Sequence, residues 1–130
     1  MVPQMIGLRH AALFVKDVDR SLAFYRDVFG MELEWRPDRD NVYLTSGTDN
    51  LALHSLPKDR EPGKIQTLDH IGFVVRNADD VDVWADHVTG LGYQLVKPPR
   101  THRDGARSFY LRDPDDILIQ VIHHPPISDQ

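Results

Sequence analysis

The chain has no cysteine, only two tryptophans and three methionines in 130 residues, and no apolar run approaching membrane-spanning length. Without thiols, a disulfide, a thiolate metal ligand and a cysteine nucleophile are all excluded. The absence of cysteine also suits a reducing compartment. No stretch is long enough to cross a bilayer as a helix, and Met1 to Met5 is too short and too polar for a secretory leader. A cytoplasmic protein with no membrane partner is the expectation. Basic residues are the minority as well: 15 Lys and Arg stand against 20 Asp and Glu, a formal net charge of −5. A nucleic-acid surface normally carries a basic excess, so no nucleic-acid partner is expected. One segment reverses the balance, with Lys97, Arg100, Arg103 and Arg107 against Asp104 alone.

What the chain does contain is a repeat. Leu8-Arg9-His10-Ala11-Ala12-Leu13-Phe14-Val15 recurs sixty residues later as Leu68-Asp69-His70-Ile71-Gly72-Phe73-Val74-Val75. At that shift Asp19 and Asp79, Val28 and Val88, and Gly30 and Gly90 are also identical, and Phe24 is matched by Trp84. A repeated supersecondary unit implies two copies related by an approximate two-fold axis. The repeated side chain that would meet its counterpart is histidine, which points to a metal site between the halves.

Each copy reads as βαβββ. In the first, residues 5–56, strands are expected at about 7–15, 31–36, 41–46 and 50–56, the first break falling at Pro37-Asp38. Asp17 or Asp19 caps a helix whose buried stripe is Val18, Leu22, Tyr25 and Phe29 and whose stop is Gly30. Residues 57–66 form a linker rich in Pro and Gly. The second copy, 67–124, repeats the plan with a strand at 67–75, a helix at about 78–89 ended by Gly90, and strands at about 92–97, 106–112 and 117–123. A longer loop, Pro98 to Gly105, sets it apart, and residues 125–130 read as a disordered tail. The fold class is α+β: two paired βαβββ modules forming a curved eight-stranded sheet around a cavity. Strand parity puts Leu13, Val15, Ile71, Phe73 and Val75 under the helices. His10, Ala12 and Phe14, and His70, Gly72 and Val74, then face the cavity. Phe24, Tyr25 and Trp84 belong to core packing.

Late in each copy the alignment slips to sixty-six residues, pairing Asn50-Leu51-Ala52-Leu53-His54 with Asp116-Ile117-Leu118-Ile119-Gln120. His54 and Gln120 are then equivalent positions on the last strand of each copy. With these residues in view the chain resembles the vicinal-oxygen-chelate superfamily, which includes glyoxalase I, extradiol ring-cleaving dioxygenases, fosfomycin-resistance enzymes and bleomycin-binding proteins. The resemblance is carried by Leu8-Arg9-His10, Val15-Lys16-Asp17, Ser21-Leu22-Ala23-Phe24-Tyr25 with Gly30, Leu68-Asp69-His70, and Ser108-Phe109-Tyr110-Leu111-Arg112-Asp113-Pro114-Asp115, over roughly residues 7–124. It implies metal ligands on the first and last strand of each module: His10, His54, His70 and Gln120. They would hold one divalent ion (Fe, Mn, Ni, Co or Zn) for a small-molecule substrate, and homodimers are common in the resembling family. Glutamate is usual where this chain has Gln120, and a Gly-Asn pair where it has Asp116-Ile117. Asp tolerates positive φ, whereas the glutamine makes the donor set neutral. A bound ion would keep its full charge.

The remaining candidates carry two readings each. In resembling enzymes a tyrosine at Tyr110 reaches the substrate; otherwise it is a core residue with its hydroxyl at the surface. His102, in the long loop, is an acid or base at the cavity mouth, or solvated. Arg100, Arg103 and Arg107 hold a substrate carboxylate, or form a solvated basic loop, with Arg107 the best placed. His87, His123 and His124 are expected at the surface. The leading function is a divalent-metal-dependent enzyme of glyoxalase/dioxygenase type, a lyase or isomerase or a ring-cleaving dioxygenase, that chelates adjacent oxygens of a small oxygen-rich substrate with or without a carboxylate. The alternative is a metal-free small-molecule-binding protein of bleomycin-resistance type.

Overall fold

A computed structural model of the chain describes residue 6, residues 8–58 and residues 68–128. The expected linker, 57–66, lies outside the described residues except for its first two positions. The chain forms two compact units, Met1–Pro62 and Gly63–Gln130.

In the first unit β1 (His10–Val15) leads through α1 (Val18–Phe29) to β2 (Glu32–Asp38), β3 (Asn41–Thr45) and β4 (Asn50–Ser55). The sheet order is β1-β4-β3-β2, with β1 parallel to β4 and the other neighbours antiparallel. A parallel pair needs a crossover, and α1 begins it. The helix starts where the Asp17 carboxylate accepts the Arg20 N–H at 3.1 Å and stops at Gly30, whose φ of 69° is the left-handed conformation that glycine adopts without a Cβ penalty. Its buried face, including Val18, Leu22, Tyr25 and Val28, packs in a core with Leu13, Val15, Val42, Leu44, Leu51 and Leu53. Phe29, expected in this stripe, is only half-buried. The break expected at Pro37-Asp38 does not occur: β2 runs through both residues. It is an edge strand, where a proline costs no ladder hydrogen bond, and its register shifts twice against β3.

The second unit has β5 (Ile71–Val74), α2 (Ala78–Gly90), β6 (Leu95–Thr101), β7 (Arg107–Arg112) and β8 (Leu118–His123), in the order β5-β8-β7-β6 with β5 parallel to β8. The Asn77 N–H donates to the Asp80 carboxylate at 3.1 Å at the start of α2. Gly90 is not the stop. It is the last helical residue, and the positive φ falls on Gly92, at 94°. Half of the loop expected at 98–105 is likewise strand, because β6 extends through Pro98, Pro99, Arg100 and Thr101 on the opposite edge, with two register shifts. Only residues 102–106 turn. There the His102 N–H donates to the Ala106 carbonyl at 2.7 Å, and Gly105 takes a φ of 88°. Nor is the tail wholly without structure: Pro125–Ser128 forms a helical turn, α3, and the Ser128 hydroxyl accepts the His124 N–H at 2.8 Å. Residues 129–130 lie outside the described residues.

Between β7 and β8, buried Asp113 accepts the Asp115 N–H at 2.7 Å and the Ile117 N–H at 2.9 Å, and Asp116 takes the positive φ, 64°. This turn sets the register that delivers Gln120 opposite Tyr110. Asp113→Ala leaves two donors without their carboxylate and should lower stability by about 1–3 kcal/mol in urea unfolding; an unchanged midpoint would remove the anchoring role. Across the sheet, Arg107 forms a two-pronged bond to Asp82 on α2, at 2.8 and 2.7 Å. The guanidinium's hydrogen bonds hold the Asp82 carboxyl below its usual value against a smaller desolvation effect, and its charge adds a lesser pull in the same direction. A carboxyl depressed in the folded state stabilises above the unfolded carboxylate pKa, and that contribution fades as pH falls through the folded value. Asp82→Asn should therefore lower Tm at neutral pH, with the gap to wild type closing as pH falls below the ordinary carboxylate range. A gap that widens on acidification would contradict the assignment.

Candidate functional site

In each sheet the helix covers one face, and alternate side chains project from the other. On the second unit's open face Tyr110 and Gln120 are direct cross-strand partners. The Gln120 Nε2 donates to the Tyr110 hydroxyl at 3.0 Å, which turns its carbonyl oxygen away from that bond. His70 lies one residue before β5, with its ring edge against Tyr110 at a centroid distance of 5.6 Å. The His70 Nδ1 bonds the Asp69 carboxylate at 2.5 Å. As a carboxylate only accepts, Nδ1 carries the proton and Nε2 keeps its lone pair in the neutral ring. His70, Tyr110 and Gln120 thus come together within one unit.

A pocket of about 760 Å³ opens beside them, lined by Arg100, His102, Arg103, Tyr110, Gln120 and His124 among others. His102 belongs to the tight β6–β7 turn, and its Nε2 is 3.0 Å from the Ser108 hydroxyl. Arg100 projects from β6 and Arg103 from the turn. Arg107 is outside the lining: it sits on the helix side of β7, held by Asp82 and by the Thr101 hydroxyl at 3.0 Å. His123 and His124, expected at the surface, are both half-buried. His124 lines the pocket, and the His123 Nδ1 is buried on the helix side with no hydrogen-bond partner among the described residues.

In the first unit the His10 Nδ1 is 2.7 Å from the Asn50 carboxamide oxygen, and the His54 Nδ1 is 2.6 Å from that of Asn41. His54 also lies among aromatic rings, 6.4 Å from Phe14 and 5.9 Å from Tyr43 between centroids. The pairing register corrects one equivalence. Ala12 pairs with Ala52 and Gly72 with Gln120, so the first-unit counterpart of Gln120 is Ala52. His54 pairs with Phe14 instead, two residues farther along β4. A two-residue slip preserves the face, so alternation in the sequence could not detect it. The same pairing puts His54 four residues beyond the level of His10, a separation of roughly 13 Å along the strands. Among the described residues no group of three or more His, Asp or Glu side chains is gathered at one point.

Composition and motifs also missed Asn41 and Asn50. Each is the direct cross-strand neighbour of a histidine, and only the strand register reveals that.

The family model of the Glyoxalase/Bleomycin resistance protein/Dioxygenase superfamily matches residues 7–121. The fosfomycin resistance protein FosX of Listeria monocytogenes is 29% identical over 119 residues, covering 88% of this chain and 87% of that protein. A probable lactoylglutathione lyase of Synechocystis is 26% identical over 127 residues, 88% of this chain and 93% of its own length. Among solved structures, lactoylglutathione lyase from Agrobacterium tumefaciens superposes with a TM-score of 0.76 at 23% identity, over 93% of this chain and 96% of that one, a likeness of fold. With two βαβββ units of one topology and a family match over nearly its whole length, this chain belongs to the Glyoxalase/Bleomycin resistance protein/Dioxygenase superfamily.

Proposed function

We propose that the chain is a divalent-metal-dependent enzyme acting on a small substrate through two adjacent oxygens, with His10, His70 and Gln120 as donors to the ion. One observation carries this reading. The Nδ1 of each imidazole is bonded to an oxygen, and among the described residues no hydrogen bond occupies Nε2. Metal-ligating histidines characteristically spend one ring nitrogen in this way and present the other. Gln120 follows the same logic, since its nitrogen is spent on Tyr110 and its oxygen remains. The donor types suit Fe, Ni, Co, Zn or Mn. When bound, such an ion supplies a positive charge that stabilises an enolate, alkoxide or catecholate.

The protein's own side chains do the rest. Tyr110 accepts from Gln120 and has its hydroxyl proton left to donate to a substrate oxygen. Arg100 and Arg103 face the pocket and attract a carboxylate or other anionic group of the substrate; Arg107, engaged with Asp82, is not available for this. His102 borders the same pocket and is the candidate to carry a proton there. Names among the relatives fit this range: a fosfomycin resistance protein, a metallothiol transferase, a probable lactoylglutathione lyase and a manganese-dependent 2,3-dihydroxybiphenyl 1,2-dioxygenase. The neutral amide at Gln120 favours a second reading, in which the fold binds a small molecule without metal.

Elemental analysis separates the two. After reconstitution with iron, manganese, cobalt, nickel or zinc, the wild type should retain a near-stoichiometric ion, and His10→Ala and His70→Ala should each lose it. Gln120→Glu should bind more tightly, because a carboxylate adds charge to the donor set. A wild type that retains none of these ions would sink the enzyme reading and leave the binding protein.

A further inference from the structure

His10 and His54 are each the end of the same three-membered chain. The Asn50 Nδ2 donates to the Glu34 carboxylate at 3.1 Å, and its oxygen meets His10 Nδ1 at 2.7 Å. The Asn41 Nδ2 donates to both oxygens of Asp38, at 2.9 and 3.1 Å, and its oxygen meets His54 Nδ1 at 2.6 Å. Both acids come from the edge strand β2, and both amides stand directly across a strand pair from their histidine. The four side chains of the two amides and acids are otherwise unrelated in sequence spacing, so the device arises twice.

We infer that Asn50 and Asn41 are positioning residues that lock His10 and His54 in the Nδ1–H tautomer, with Glu34 and Asp38 setting the orientation of each amide. Donor and acceptor roles are fixed in one direction along each chain of side chains. A carboxylate can only accept, so each amide must turn its NH₂ toward the acid. The amide oxygen is then left for the imidazole, and an oxygen without a proton can be satisfied only by Nδ1–H. Nε2 is forced to be the lone-pair nitrogen. Free imidazole favours the opposite tautomer, so the arrangement has to be imposed. Second-sphere partners of this kind fix ring orientation as well as tautomer. The carboxamide does so without placing a charge on the ring. For His10 the consequence is a donor ready for an ion, which rests on the metal role proposed above. For His54 it is an acceptor beside Phe14 and Tyr43, which needs no metal.

Long-range ¹H–¹⁵N correlation spectra of the histidine rings read the tautomer in metal-free protein, with assignments from His10→Gln and His54→Gln. At a pH where the rings are neutral, wild type should show both as Nδ1–H. Asn50→Leu should move His10 alone to the Nε2–H pattern, and Asn41→Leu should move His54 alone. In the double variant Asn50→Asp/Glu34→Gln the donor and acceptor of the outer bond exchange while an oxygen still faces His10, so Nδ1–H should return. That rescue separates the relay from simple loss of packing. Finding either ring as Nε2–H in wild type overturns the inference for that ring without any variant having to fold. Cobalt affinity is the separate readout: Asn50→Leu should weaken it about 10–100-fold. If the tautomers behave as described and no ion binds, the relay stands and the metal-dependent function falls.

Discussion

Parallel pairing of the first and last strands of each unit, β1 with β4 and β5 with β8, is the constraint from which the rest follows. Parallel neighbours cannot be joined by a tight turn, so chain must leave the sheet and return. The returning segment includes a helix that buries one face. The other face of the same strands is thereby left for side chains that do not belong in a core. His10, Asn50, His54, Tyr110 and Gln120 all project there because the period of a strand is two. Chemistry and packing are assigned to opposite faces of one backbone, and the apolar face pays for both.

The edge strands do more than close the sheets. β2 and β6 both contain proline and both slip register twice against their neighbours. Proline at an edge leaves no ladder donor missing and discourages pairing with another chain. In β2 the irregular register accompanies the placing of Glu34 and Asp38 within reach of Asn50 and Asn41. In β6 it accompanies the display of Arg100 beside the pocket.

Charge is handled differently in the two units. His10 and His54 meet neutral amides backed by acids, whereas His70 meets the Asp69 carboxylate directly. Gln120 contributes no charge, and its nitrogen is tied to Tyr110. The second unit's His70 thus has an acid in direct contact, whereas an amide stands between each histidine of the first unit and its acid. The anionic substrate proposed above is a matter for the two arginines beside the pocket, Arg100 and Arg103.

The sequence by itself determined the repeat, the βαβββ order, a helix start at Asp17 or Asp19 with its stop at Gly30, and the faces of the first strand in each unit. These are local properties: period, turn chemistry and a left-handed stop act within a few residues. Only the tertiary structure decided which residues stand side by side. Register is invisible to alternation when it slips by two, so the match of His54 to Gln120 looked sound and the pairing with Ala52 did not emerge. The helix stop at Gly92, two residues past the aligned glycine, and the extension of β6 through two prolines were settled by chain geometry beyond the local pattern. Arg107 reads as a free cation until α2 brings Asp82 to it. The amides behind His10 and His54 come from other strands, and no spacing along the chain encodes a bond that forms across a sheet.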